Sequence, residues 1–210
     1  MSKVRILIVL GMGATALALG ACVRPTQAAS PSFDCAKVSG RAEELICGDR
    51  ELASMDVEAT RLFRLVHDST RQPEAEKEKL NRDHARWVKV RDECWIADDI
   101  RNCIIASYAV RIHSLRQHYA EARTSDNKGI TRGPFELRCK DMKQPVRATL
   151  IQSDPPVSTV QLPDSVHVGI GSGKRYVERD VDGEELAVWT VGNDSVLKLP
   201  NGAKYSCVMK

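Results

Sequence analysis

Ser172-Gly173-Lys174-Arg175-Tyr176 sets a hydroxyl and two cations in five positions, with glycines before and inside the run. As a nucleophile Ser172 would need a histidine base and an orienting acid. His167 is near in sequence, but five residues along an alternating strand do not guarantee contact. As a phosphate loop, Gly169-Ile170-Gly171-Ser172-Gly173-Lys174 fails twice. The pattern wants glycine where Val168 stands and Ser or Thr where Arg175 stands. His113 and His118 lie five apart on a helical pattern, on different faces, unlike the i, i+4 pair of a metal helix. Neither a metal, a cofactor nor an enzymatic activity is expected. Glu178, Asp180, Asp182, Glu184 and Glu185 cluster in eight positions, either as a field that steers a cationic partner or as a plain solvated hairpin. Trp87 and Trp95 with Arg91 read as a ligand surface or, more commonly for aromatics in a short bundle, as core.

The seven cysteines set the compartment. Lys3 and Arg5 precede a mostly apolar run from Ile6 to Leu19 and a group of small residues before Cys22, the layout of a secretory signal. The run is shorter than the ~20 apolar residues that span a bilayer. Leu19-Gly20-Ala21-Cys22 resembles the lipobox of bacterial lipoproteins, which implies that Cys22 becomes the acylated first residue and anchors the chain to a membrane. Val23, where aspartate would signal retention at the inner membrane, implies the outer membrane, facing the periplasm. The alternative is ordinary cleavage after Ala28 or Ala29 and a soluble product.

Export implies an oxidising compartment, so the other six cysteines read as disulfides before metal ligands. Fifteen pairings are formally possible. The organisation of the chain selects Cys35–Cys47, Cys94–Cys103 and Cys139–Cys207. With 31 basic and 28 acidic residues, loss of Lys3 and Arg5 leaves the charge nearly balanced, which gives no footprint for nucleic acid.

These residues need two kinds of element to hold them. After a signal over 1–21, residues 22–32 form a small, polar, proline-containing tether. From 33 to 123 apolar residues recur at helical spacing. Leu45, Ile46, Leu52, Met55, Ala59, Leu62, Phe63 and Val66 make one stripe, and Ile104, Tyr108, Ile112, Leu115 and Tyr119 another. Gly48-Asp49 divides a short helix from a longer one, and Gln72-Pro73 opens a third that runs to about Cys94.

Residues 124–133 read as a linker. Beyond it the period changes to two, and eight short strands are predicted: Phe135–Cys139, Val146–Ile151, Ser158–Leu162, Val166–Ile170, Lys174–Glu178, Leu186–Thr190, Ser195–Leu199 and Lys204–Val208. Such a run suggests a small antiparallel barrel or sandwich over 134–210. The expected fold class is therefore α + β in separate modules, a small helical bundle followed by an eight-stranded antiparallel β-barrel.

Two resemblances add function. Asp34-Cys35, Glu44-Leu45-Ile46-Cys47-Gly48-Asp49, Leu52, Asp56, Trp87-Val88-Lys89-Val90-Arg91-Asp92-Glu93-Cys94, Cys103 and Tyr108-x-x-Arg111-Ile112-x-x-Leu115 resemble the LprI-type domain of bacterial envelope proteins, a type that includes a mycobacterial lysozyme inhibitor. His84 stands where that family more often has glutamine. Residues 134–210 resemble the MliC/PliC family of c-type lysozyme inhibitors through Cys139, Ser172-Gly173-Lys174-Arg175-Tyr176, Trp189-x-x-Gly192-x-x-x-x-Leu197 and Cys207. In that family the serine of the loop and a lysine after the tryptophan enter the lysozyme cleft and engage its two carboxyl groups. Here the lysine position reads Val191.

The resemblance thus implies an envelope lipoprotein that binds c-type lysozyme through Ser172, Gly173, Lys174, Arg175 and Tyr176, with Lys174 or Arg175 replacing the missing cation. The rival expectation, favoured by Val191 and the balanced charge, is a non-inhibitory module that binds peptidoglycan or an envelope protein.

Overall fold

A computed structural model describes residues 30–123, 128–180, 182–191 and 194–209. Cys22, its signal, most of the tether, and Gly192 lie outside the described residues. Four helices come first: α1 (Arg41–Gly48), α2 (Arg50–His67), α3 (Glu74–Asp92) and α4 (Ile100–His118). No helix among the described residues is long and apolar enough to cross a membrane. Asp49 separates α1 from α2 because its carboxylate accepts from the amides of Glu51 and Leu52, which would otherwise have no partner at the start of α2. Its other oxygen takes Nε of Arg101 at 2.7 Å, tying the head of α4 to the same cap. The two predicted stripes meet as the core: Leu52, Met55, Ala59, Leu62 and Val66 of α2 against Ile104, Tyr108, Ile112 and Leu115 of α4, all at most 2% exposed.

α3 contributes little apolar surface, and of its residues only Leu80 and Arg91 are fully buried. Arg91 is the hub of a polar network inside the bundle. It donates to the Tyr108 hydroxyl at 3.1 Å and to Asp92 at 2.6 and 2.8 Å, and Tyr108 donates on to Asp56 at 2.8 Å. Its guanidinium also lies 5.6 Å from the ring centres of Phe33 and Trp87. Trp87 is therefore core. Trp95 is not: it is 53% exposed beside Ile96 at 69%, in the short turn that Cys94 anchors to α4 through Cys103.

Next to this network, burial, and then the charges of Arg111 and Arg91, lowers the pKa of His84 from 6.5 to about 4. A folded pKa below the free value means that the unfolded chain binds the extra proton, so stability falls as pH drops from about 6.5 towards 4. His113, also lowered by burial, acts in the same direction. Thermal unfolding at pH 7 and pH 4.5 should show a lower midpoint in acid, and His84→Gln should flatten the slope. An unchanged slope in that variant would exclude His84 as the source.

The second half is a closed antiparallel barrel in which each strand pairs with its chain neighbour and the last returns to the first. Its strands are β1 (Thr131–Cys139), β2 (Val146–Ile151), β3 (Val157–Gln161), β4 (Val166–Ser172), β5 (Arg175–Arg179), β6 (Glu185–Val191), β7 (Asp194–Lys198) and β8 (Lys204–Met209). β1 begins four residues before the predicted start. The last residues of the expected linker over 124–133 therefore belong to the strand: Gly133 takes φ +98° and the register shifts between Arg132 and Phe135, so Gly133-Pro134 forms an irregularity inside β1. Cys139 and Cys207 are directly opposite on β1 and β8 and are bonded, closing the seam. Cys35–Cys47 and Cys94–Cys103 are the other two disulfides, both within the helical half.

Leu137, Val146, Ala148, Val160, Leu186, Val188 and Leu197 fill the barrel. The alternate residues of β2 and β3 face outward, and there the helices cover them. Ile151 and Val157 belong to the same buried cluster as Leu62 and Ile112, so the two halves share one core. α4 supplies the polar part of this junction. His113 contacts Thr149 Oγ1 at 2.8 Å and Gln161 Oε1 at 3.1 Å. Arg116 donates to the carbonyls of Gly133 and Ala122 at 2.7 and 2.8 Å, while buried Glu58 receives Arg61 and the Thr131 hydroxyl. A β-carbon at Gly129 would collide with the Glu58 and Arg61 side-chain ends, which would have to shift.

Candidate functional site

β4 and β5 join in the shortest hairpin a sheet permits. Ser172 and Arg175 are partners in register, which leaves Gly173 and Lys174 as the loop. Gly173 takes φ +62°, the left-handed backbone that the first position of a type II′ turn requires and that suits the twist of the strands. Beneath the turn, Gly171 donates its amide to the Pro156 carbonyl at 2.6 Å. A β-carbon there would come within 2.9 Å of the Tyr176 ring and 2.8 Å of the Pro156 oxygen. Two glycines and a ring therefore fix the tip. Half-buried Tyr176 packs on the barrel core and borders a cavity of ≈ 200 Å³ at the barrel mouth, with Leu137, Ala148, Val188 and Trp189; burial raises its pKa.

Ser172, Gly173, Lys174 and Arg175 are all exposed, but the two cations differ. Arg175 pairs with Glu185 and lies 5.2 Å from the centre of the Trp189 ring. Glu185 also takes Lys198 at 3.2 Å and Arg179 at 3.3 Å. Lys198, helped by the two arginines, holds its carboxyl below the usual range. Arg175 is thus held against the barrel wall. Lys174 has no ion pair among the described residues, so the tip presents one hydroxyl and one unengaged ammonium two residues apart in a stiff turn.

Val191 ends β6 opposite Asp194. Because Arg175 pairs with Trp189, the end of β6 lies at the same end of the barrel as the Ser172 hairpin. The turn of the acidic run does not. β5 separates it from the hairpin: Arg179 pairs with Glu185 at the far end, so Asp180, Asp182 and Glu184 occupy the opposite turn, one strand length away. Two of its five carboxylates are also already paired, Glu185 as described and Glu178 with His167 at 2.5 Å. Asp180, Asp182 and Glu184 are thus remote from Ser172, whereas Glu178 lines the same groove as Ser172 and Glu185 reaches Arg175.

His167 does not reach Ser172 either. Its other nitrogen contacts Ser165 Oγ at 2.8 Å, giving a Ser165–His167–Glu178 chain that the sequence reading missed, because the partners come from a turn and two strands. Ser165 lies in the exposed β3–β4 turn, and the chain fastens that turn to β5. No group of three or more His, Cys, Asp or Glu suited to a metal ion occurs among the described residues.

The hairpin has a second wall. Asn102, Ile105 and Ala106 of α4 face Ile170, Gly171 and Ser172 across a groove of ≈ 780 Å³. Sequence periodicity placed α4 in the bundle but held no signal that its outer face would border the hairpin.

The chain is 28% identical over 186 residues to proteins named Lipoprotein LprI from Mycobacterium bovis and from two strains of Mycobacterium tuberculosis, covering 82% of this chain and 87% of theirs. The likeness supports an LprI-type domain. It also agrees with an envelope lipoprotein. Residues 1–123 are well under two thirds of the chain, so a match of that extent has to run past the LprI-type helices into the barrel. No family model and no solved structure matches the chain.

Proposed function

We propose that this protein is an envelope lipoprotein, anchored through Cys22 on the periplasmic face of the outer membrane, that binds and inhibits c-type lysozyme by placing the Ser172 hairpin in the active-site cleft. The observation that carries the reading is the braced two-residue turn with an exposed hydroxyl and, at its tip, an ammonium that has no ion pair among the described residues. A lysozyme cleft holds one carboxylic acid and one carboxylate, and a hydroxyl and a cation held rigidly at the mouth would satisfy both while excluding sugar. Preorganisation lowers the ordering cost of such a contact.

With Val191 in the lysine position, Lys174 is the loop cation without an ion pair among the described residues, since Arg175 is engaged by Glu185 and Trp189. In a muramidase assay with the purified protein, Ser172→Ala and Lys174→Ala should each weaken inhibition by roughly 10- to 100-fold, the equivalent of a charge-assisted bond of about 1.5–3 kcal/mol. Arg175→Ala should cost less than Lys174→Ala. No inhibition by the wild-type chain at micromolar protein would remove the reading.

Val191 favours a second reading, a non-inhibitory module that binds peptidoglycan or an envelope partner on the same scaffold. Co-sedimentation with sacculi separates the two, because an inhibitor acting only on lysozyme stays in solution. Mass spectrometry of the mature amino terminus tests the anchor: an acylated Cys22 is expected, and an unmodified start near residue 30 would contradict it.

A further inference from the structure

Among the described residues, the buried side-chain nitrogens without a hydrogen-bond partner are Nδ1 of His84 and Nε and Nη2 of Arg111. They form one patch: the His84 ring centre lies 5.3 Å from that of Trp87, and the Arg111 guanidinium 5.8 Å from the same ring. Arg111 is only 8% exposed. A buried cation with no acceptor is costly, and native structures rarely leave such groups unexplained. Nε and Nη2 are also not arbitrary atoms. Together they are one edge of the guanidinium, the pair of parallel N–H donors that grips both oxygens of a carboxylate.

Arg111 lines a groove of ≈ 420 Å³ between α3 and α4, with Glu76, Lys79, Asp83, Ser114 and His118 along its walls. Other charges here are matched: Glu76 with Lys79 at 4.0 Å, Asp83 with Arg86 at 3.3 Å. His118 Nδ1 is engaged by the Ser114 carbonyl at 2.8 Å. Arg111 makes no ion pair among the described residues; Asp83, whose charge acts on it, is bonded to Arg86 instead. We infer that this groove is a second binding site, for a small carboxylate ligand of the kind found at the free carboxyl end of a short peptide. The volume suits a ligand of one or two amino-acid residues, near the lower end of the ~300–1,000 Å³ usual for small-molecule pockets. Two wall carboxylates disfavour a dianion such as phosphate and offer acceptors to a peptide ammonium. Both unpaired nitrogens are shielded from solvent, so the guanidinium has to swing towards the groove to use them; no hydrogen bond on that edge opposes the movement.

The site is independent of the hairpin reading, and its test leaves Ser172 untouched. Amide spectra of the full chain are recorded against L-alanyl-L-alanine, its carboxamide and inorganic phosphate. The dipeptide should shift α3 and α4 signals saturably, with the carboxamide and phosphate at least tenfold weaker. Arg111→Gln should reduce dipeptide binding at least tenfold. Ser114→Phe, which narrows the groove without touching Arg111, should do the same and serves if the glutamine variant does not fold. A carboxamide or phosphate that binds as well as the dipeptide, a dipeptide that gives no saturable shift, or binding that survives Ser114→Phe would each overturn the assignment.

Discussion

Replacing Cys139 and Cys207 together by alanine should lower the stability of the barrel by about 4 kcal/mol, the chain-entropy value for a closed loop of this size. The bond spans 68 positions and joins residues paired across the β1–β8 seam. That seam is the one contact in the barrel that no short turn enforces, since every other strand pair is between chain neighbours. The two helical disulfides close 12 and 9 positions, for which the same reasoning gives about 3 kcal/mol or less each. Urea unfolding of the double variant, read by circular dichroism in the strand region, measures the difference. A loss below about 1 kcal/mol would mean that strand pairing and barrel packing hold the seam alone. Because the Ser172 hairpin is stiff only while β4 and β5 are held in the closed sheet, the same variant should also inhibit lysozyme less well at temperatures where the wild-type protein is fully folded.

Arg91→Met should be comparably severe in the helical half, at about 3–5 kcal/mol. The side chain is 4% exposed and so is its partner Asp56, 3.7 Å away. Methionine preserves much of the volume, so the expected loss comes from leaving the Asp56 charge buried beside Tyr108 with no cation. Burial and the Asp56 charge already push the Tyr108 hydroxyl well above its usual pKa, so Tyr108 stays a neutral donor and cannot take over the role of Arg91. Adding Asp56→Leu to Arg91→Met should recover a large part of the loss, because a buried pair removed as a whole costs much less than one broken in half. Thermal unfolding of the two single variants and the double one gives the coupling. Additive losses would show that Arg91 acts through its contacts with Phe33, Trp87 and Asp92 instead.

The residue spacing of the chain carried most of the architecture. Helical periodicity in 33–123 and strand alternation beyond it are local signals, set by which face of each element must leave water, and Leu62, Ile112, Leu137 and Val160 lie buried where those periods place them. Gly173 and Gly171 could be read as a turn from their type alone, because only glycine takes a positive φ cheaply or lets a ring pass so close. Trp95 shows the limit of such reasoning: an aromatic residue in a helical stretch is usually core, but the chain turns at Cys94 and leaves it outside.

The amino-acid sequence determined by itself the two element types, the eight strands and the hydroxyl-and-cation turn, since each depends on neighbours within a few residues. The tertiary structure decided which charges are free. It bound Arg175 to Glu185 and Trp189 and left Lys174 without an ion pair among the described residues, joined His167 to Glu178, brought α4 alongside the hairpin and left Arg111 buried without an ion pair among the described residues. Those outcomes depend on strand register and helix docking, which bring together residues from ten to about seventy positions apart, and no local periodicity encodes such distances.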